Sequence, residues 1–343
     1  MLLTIDPHQF LGIEVNPRAA AITDLVLWIG YLQWHFRTRG DDELREPIIR
    51  NFHNIECRDA VLACDRVEPV VDEQGNPVTR WDGRTTRPHP VTSEEVTNET
   101  ARVQELRYIN PRKAEWPKAD YVVGNPPFVG VSKMRFALGS GYVDALHEAH
   151  DDMPKSCDYV MYWWNSAANS LRSSNIRRFG FITTNSITKV LNRRIVENHL
   201  VRKSPVTILF CVPDHPWVDA ADGAAVRISM TVCDVGSQAG TVNLVRRESI
   251  EGGDTLRIEF ATDVGPVNSN LSIGVDINDV TALKSNDGMS SMGVKLHGTG
   301  FVLSSDEAAK LTVDKSSGAE SVIKPYVCAR DLTATNRNQF VID

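Results

Sequence analysis

Two adjacent prolines at the end of an apolar run constrain this chain more than any other feature. Asp120-Tyr121-Val122-Val123-Gly124-Asn125-Pro126-Pro127-Phe128 reads as a short buried strand, Tyr121 to Val123, entering a stiff polar loop. Proline fixes φ, donates no hydrogen bond and pushes the residue before it toward extended backbone. The chain past Asn125 is therefore rigid and extended. The Asn125 carboxamide offers one acceptor oxygen and two donor hydrogens, and Phe128 adds a flat apolar face. Together they suit a planar base bearing an exocyclic amine, which would donate to the Asn oxygen and to a proline carbonyl while its ring stacks on Phe128. The competing reading is a Pro-Pro loop that closes a strand, with Asn125 as a turn former.

The 343 residues allow one large or two ordinary domains, and 42% hydrophobic with 24% charged residues is the balance of a globular protein. Apolar runs are too short to span a bilayer, and the first residues carry no export signature. The six cysteines are scattered without a Cys-x-x-Cys pair. That favours reduced core or surface thiols in a cytoplasmic protein over zinc sites or disulfides. A formal net charge of -7 excludes a uniformly basic coat for nucleic acid, but not a local basic stripe.

Along the chain, Phe10 to Asn16 reads as a strand ending in Glu14. A helix from Arg18 to Arg37 follows, with Ile22, Leu25, Val26, Ile29 and Leu32 at helical spacing. Its aromatics Trp28, Tyr31 and Trp34 are expected in the core or at its rim. Glu14 is either a surface acid or, at a strand end of a nucleotide-binding sheet, a carboxylate for two vicinal ribose hydroxyls. Asn54 to Leu62 reads as another strand, with Asp59 either capping a turn or meeting an amino group. The adjacent Cys57 is assigned to packing. Residues 65–118 form an excursion with a hairpin from Val70 to Trp81 and a helix from Ser93 to Leu106. A short helix is expected around Val143 to Ala149, a longer one from Cys157 to Leu171, and a strand from Phe179 into Ser186. The next helix carries Lys189, Arg193 and Arg194, the densest basic run and, with Lys133 and Arg135, the candidate phosphate contacts. Val206–Val212 and Val226–Cys233 are expected to close the sheet at its edge as an antiparallel pair. Past Asp234 the chain becomes Gly-, Ser- and Asn-rich, with a hairpin around Gly252-Gly253 and a short helix at Ser305 to Leu311 capped by Ser304 or Ser305.

Gly12 to Pro17, Asp59-Ala60, Gly124 to Phe128, Phe181 to Ser186 and Pro213 to Trp217 stand in the order seen in MmeI-like, type IIG-related adenine-specific DNA methyltransferases, which the chain resembles to about residue 240. The resemblance implies an α/β fold, a Rossmann-like class I methyltransferase sheet over residues 1–234, followed at 235–343 by the start of a β-rich target-recognition region. It implies S-adenosylmethionine as methyl donor and double-stranded DNA as partner, with transfer to the N6 amine of adenine. It makes Asn125, Pro126, Pro127 and Phe128 the catalytic loop. Glu14 and Asn16 lie on the ribose side of the donor, Asp59 and Ala60 on its adenine side, and Asn125 beside it; no metal is implied. The glycine-rich first strand of that family has no counterpart before Glu14, and in such a sheet it lies between the strands bearing Glu14 and Asn125. An endonuclease motif is missing as well. The chain is thus expected to be a piece of a longer protein, with apolar strand edges left open and weak or no donor binding by itself. A methyltransferase for RNA or for a protein glutamine, and a non-catalytic DNA-binding subunit, are the alternatives.

Overall fold

Strand Arg178–Thr184 alternates buried and half-buried side chains, so one face must meet a helix and the other a second layer. In the computed structural model of the protein that helix is Val160–Arg172. Its residues Val160, Trp164, Ala167, Ala168 and Leu171 recur at helical spacing and are all buried. Trp164 is fully buried, meets the edge of the Phe179 ring at 5.4 Å, and donates its indole N–H to Thr231 Oγ1 at 3.4 Å. The structure describes residues 5–40, 54–82, 85–88, 95–216, 227–251, 255–276, 280–281, 283–289, 296, 299–312, 318–333 and 335–343. They fall into two compact units, Met1–Asp279 and Val280–Asp343.

In the first unit, β1 (Gly12–Glu14) leads into α1 (Pro17–Arg39) and pairs in parallel with β2 (Ile55–Cys57). β3 (Tyr121–Gly124) precedes α2 (Val131–Leu138), α3 (Ser140–Ala149) and α4 (Val160–Arg172). Then come β4 (Arg178–Thr184), α5 (Val190–Leu200), β5 (Val206–Pro216), β6 (Arg227–Val235), β7 (Gly240–Glu251) and β8 (Thr255–Gly265). The main sheet has six strands in the order β3-β4-β6-β5-β7-β8, parallel between β3 and β4 and antiparallel between β4 and β6. The β1–β2 pair is a separate sheet. Among the described residues β3 pairs on one side only, and its Tyr121 and Val123 side chains are 60% and 84% exposed.

Several expectations change. The β5–β6 pair is antiparallel as expected but lies inside the sheet, because β7 pairs with β5 in parallel and β8 extends it further. The first compact unit runs to Asp279. Gly252-Gly253 and Trp217 lie outside the described residues. Within the excursion, Glu95–Thr97 and Arg102–Gln104 are strands, not the helix expected over 93–106. They pair with Thr86–Pro88 and Thr79–Trp81, so the excursion is a long antiparallel ribbon in which cross-strand pairing outweighs a helix-start signal. Its base, Leu106–Ile109, rests on α3 at Gly141, where a Cβ would meet the Leu106 carbonyl oxygen at 1.7 Å. α1 is apolar, yet Ile22, Leu25, Val26 and Ile29 are about half exposed and Trp34 is at the surface; among its described residues only Ala20 and His35 are buried. Cys57 is exposed, so packing does not explain it.

In the second unit, Gln339–Ile342 lies between Val302–Leu303 and Ile323–Tyr326 in an antiparallel sheet. Helix Ser305–Thr312 is capped by Ser304, which exchanges hydrogen bonds with Glu307 at its start. Among the described residues no helix is long and apolar enough to cross a membrane, and no cluster of His, Cys, Asp and Glu is placed to hold a metal ion.

Candidate active site

Ligands of α/β sheets gather at the carboxyl ends of parallel strands, where turns and helix N-termini converge. β1 and β2 each end in a turn that carries an acid. The Arg58 N–H donates to the Glu14 carbonyl at 3.1 Å, so the two turns are stitched side by side. Glu14 Oε1 accepts from the Asn16 N–H at 2.7 Å, and among the described residues Oε2 has no partner. Asn16 is the N-cap of α1: its Oδ1 accepts from the N–H groups of Arg18 and Ala19.

Asp59 is held more tightly. Its Oδ1 accepts from the N–H groups of Val61 at 2.7 Å and Leu62 at 2.9 Å. Its Oδ2 accepts from the Tyr142 hydroxyl at 2.6 Å. The Ala60 carbonyl next door accepts from the Trp116 indole at 2.6 Å. Buried His150 supports the same turn, its Nε2 lying 2.9 Å from the Val61 carbonyl, which requires the proton on Nε2. Burial pushes the His150 pKa down and keeps the ring neutral.

At the third strand end, Gly124 passes so close to Phe181 that a Cβ would lie 3.0 Å from its ring. The Asn125-Pro126-Pro127-Phe128 loop then leaves β3. Pro126 is buried and Pro127 exposed, while Phe128 is half-buried and packs against the core. Asn125 is exposed, and among the described residues its carboxamide makes no hydrogen bond. Beyond the loop, the Val129 carbonyl accepts from the Tyr159 N–H at 2.9 Å, and the Val131 N–H donates to Asp158 Oδ1 at 2.9 Å.

Tyr142 joins the two halves of this arrangement. It donates to Asp59, and its oxygen lies 2.6 Å from the Tyr159 hydroxyl, which must therefore be the donor to Tyr142. Burial above all, with the neighbouring Asp59 charge, raises the pKa of both tyrosines and keeps them protonated. A hydrogen-bonded path thus runs from Asp59 through Tyr142 to Tyr159, whose own N–H holds the segment behind Phe128. Sequence reading missed Tyr142, Asp158, Tyr159 and Asn192. The one available signal was Asp158 ahead of an apolar helix, which would suggest a cap for α4 and not a partner for α2.

The basic candidates separate into two kinds. Arg135 pairs with Asp144 at 2.6 Å, which spends its charge locally. Arg193 is half-buried, with its Nε enclosed and, among the described residues, without a partner. Lys133, Lys189 and Arg194 are exposed and, among the described residues, make no ion pair.

These features define an α/β domain whose strand ends carry two acids and a proline-stiffened carboxamide. The chain belongs to the MmeI DNA-methyltransferase domain family, whose model matches residues 2–245. Among solved structures it is similar to the type IIL restriction-modification enzyme MmeI in complex with DNA, at 23% identity and a TM-score of 0.44, covering 65% of this chain and 29% of that one. It is also similar to a modification subunit of a putative type I restriction enzyme from Vibrio vulnificus YJ016, at 16% identity and a TM-score of 0.29, covering 42% of this chain and 27% of that one. The chain thus spans less than a third of the length of either. Among curated proteins none matches it.

Proposed function

We propose that this chain is the catalytic domain of a site-specific DNA methyltransferase of a restriction-modification or phage-defence system, and that it methylates the N6 amine of adenine. The reading is carried by Asn125: an exposed carboxamide, without a hydrogen bond among the described residues, on a loop fixed at both ends. A duplex hides the amine in its stack, so the target base has to swing out to reach this loop. Asn125 Oδ1 and the Pro126 carbonyl would each accept one amine hydrogen, which aims the nitrogen lone pair away from the loop. Phe128 would support the ring.

S-adenosylmethionine would supply an electrophilic methyl group on a sulfonium. Transfer would form the new N–C bond at the amine nitrogen while sulfur kept the S–C electron pair as a thioether, and the surplus amine proton would pass to solvent. The residues present fit the donor. Glu14 keeps Oε2 open for ribose hydroxyls, and Asp59 Oδ2 keeps one lone pair beside the Tyr142 bond for an amino group. Lys189 and Arg194, and Lys133 next to the loop, would contact phosphates.

Tritiated methyl transfer to duplex DNA, with RNA and glutamine peptides as the other acceptors, tests the reading; label on RNA or peptide alone would replace it. A second reading is favoured by the open edge at Tyr121 and Val123, with β1–β2 in a separate sheet. Here the residues of this chain need a further strand against β3 before the donor binds. Calorimetric titration separates the two, since micromolar donor binding by the 343 residues alone would remove this second reading.

A further inference from the structure

Helix α2 begins directly behind the Asn-Pro-Pro-Phe loop with Gly130 at its N-cap, which has no side chain to offer. The first N–H groups of a helix need outside acceptors. Here the acceptor comes from 27 residues further on, where Asp158 Oδ1 takes the Val131 N–H at 2.9 Å. Asp158 is caged in turn. Its Oδ2 accepts from Ser186 Oγ at 2.7 Å and from Asn192 Nδ2 at 2.8 Å, and its own N–H donates to Asn192 Oδ1 at 2.9 Å. The next residue, Tyr159, fixes the Val129 carbonyl through its backbone N–H.

We propose that Asp158-Tyr159 is the positioning element of the target-base loop. The front of that loop is set by the parallel pairing of Gly124 with Phe181, and its rear by Asp158 on Val131 and Tyr159 on Val129. Between these anchors lie only Asn125, the two prolines and Phe128, so the carboxamide leaves β3 in one direction. Asn192 sits on α5 between Lys189 and Arg194, so the carboxylate that sets the loop also fixes the helix carrying the exposed cations. Asp158 touches no reacting atom; it acts through the loop. The proposal rests on reading that loop as the holder of the target amine.

Asp158→Asn tests it in the full chain. The amide keeps the shape and one acceptor oxygen, but its NH2 cannot accept from Ser186 or Asn192, so the cage turns or opens. Two measurements are made together: backbone amide exchange in the segment 125–131 against that in 178–184, and kcat against KM for donor and DNA. Exchange in 125–131 is expected to rise about tenfold while 178–184 stays protected, as for a local opening. The kcat is expected to fall about 10- to 100-fold, with both KM values within about twofold, since small misplacement of reacting atoms costs rate and not affinity. Unchanged exchange in 125–131, or an equal rise in both segments, would overturn the proposal. Ser186→Ala, which removes one caging donor, is the milder variant should Asp158→Asn not fold; it is expected to shift the same segment less, and no shift overturns the proposal equally. If the unaltered protein transfers no methyl group, the functional reading fails, and the exchange comparison still decides the positioning role.

Discussion

Tyr142 donates its hydroxyl proton to Asp59 across 2.6 Å, and Tyr159 donates to Tyr142 across the same distance. The first bond fixes the carboxylate at the end of β2; the second ties it to the segment leaving the Asn-Pro-Pro-Phe loop. A donor molecule bound against Asp59 would therefore be felt at the residues that follow the loop.

Replacing Tyr142 with Phe deletes the middle of that path. Asp59 Oδ2 loses its orienting donor, and the buried Tyr159 hydroxyl loses its acceptor. A stability loss of about 1–3 kcal/mol is expected in urea unfolding, the usual cost of leaving buried polar groups unpaired. Donor affinity is expected to weaken about fivefold to tenfold, about one kcal/mol or slightly more in binding free energy, with kcat at saturating donor nearly unchanged. An unchanged donor Kd alongside lost stability would confine Tyr142 to a structural role.

Asn125→Ala separates chemistry from folding. The side chain is exposed and makes no hydrogen bond among the described residues, so stability should move by no more than about 0.5 kcal/mol. The rate of methyl transfer should fall about 100- to 1000-fold, the scale seen when one group aimed at the reacting centre is removed. Asn125→Asp keeps the acceptor oxygens and should lose less. A filter assay with tritiated donor reads both, and an Ala variant as active as the parent would remove Asn125 from the mechanism.

Much of this site was legible because it rests on local chemistry. Two prolines after Asn125 announce a rigid strand exit, and the apolar run before Glu14 marks a strand that ends at it. What stayed hidden depends on partners distant in sequence. Asp158 caps α2 from 27 residues away, and Tyr142 reaches Asp59 across 83. The helix expected over 93–106 failed for a related reason: its start signal is local, whereas Arg80 opposite Val103 and Arg87 opposite Val96 are cross-strand pairs that no local window contains. On α1, periodicity correctly gave a helix but could not say that its stripe at Ile22, Leu25, Val26 and Ile29 lacks a covering layer among the described residues.

Trp164→Ala tests where the stability of the first unit is held. The ring is fully buried between α4 and the sheet, against Phe179 and with its edge toward His199. Truncation leaves a cavity and an unpaired Thr231 hydroxyl, and is expected to cost about 3–5 kcal/mol in chemical denaturation. A loss under about 1 kcal/mol would show that the sheet collapses into the space.

His199 makes stability depend on pH. It is buried, its Nε2 lies 2.7 Å from Asn165 Oδ1, and burial lowers its pKa to about 4 from an ordinary 6.5. Between those values the unfolded chain binds a proton that the folded chain refuses. Stability is therefore full above about pH 6.5 and declines as pH falls toward 4, by roughly 3 kcal/mol at about 1.4 kcal/mol per pKa unit. Urea midpoints measured from pH 7 to pH 4, with His199→Gln as reference, should show the slope shrink in the variant. Parallel curves would show that other groups carry it.

The division among the cations predicts which of them matter to DNA. Lys189 and Arg194 stand exposed and unpaired among the described residues, on a helix whose Asn192 is locked to Asp158. Arg135 is already neutralised by Asp144. Removing one phosphate-binding cation should reduce the slope of log K against log salt by about 0.9, so the double variant Lys189→Ala, Arg194→Ala should lower it by about 2. Arg135→Ala removes a charge that Asp144 had balanced, and should change the slope by less than about 0.5. Fluorescence anisotropy on a duplex, from low to moderate salt, measures the parent and both variants. Equal slopes for the double variant and Arg135→Ala would mean that the phosphates run elsewhere, and that the basic start of α5 is an ordinary solvated helix face.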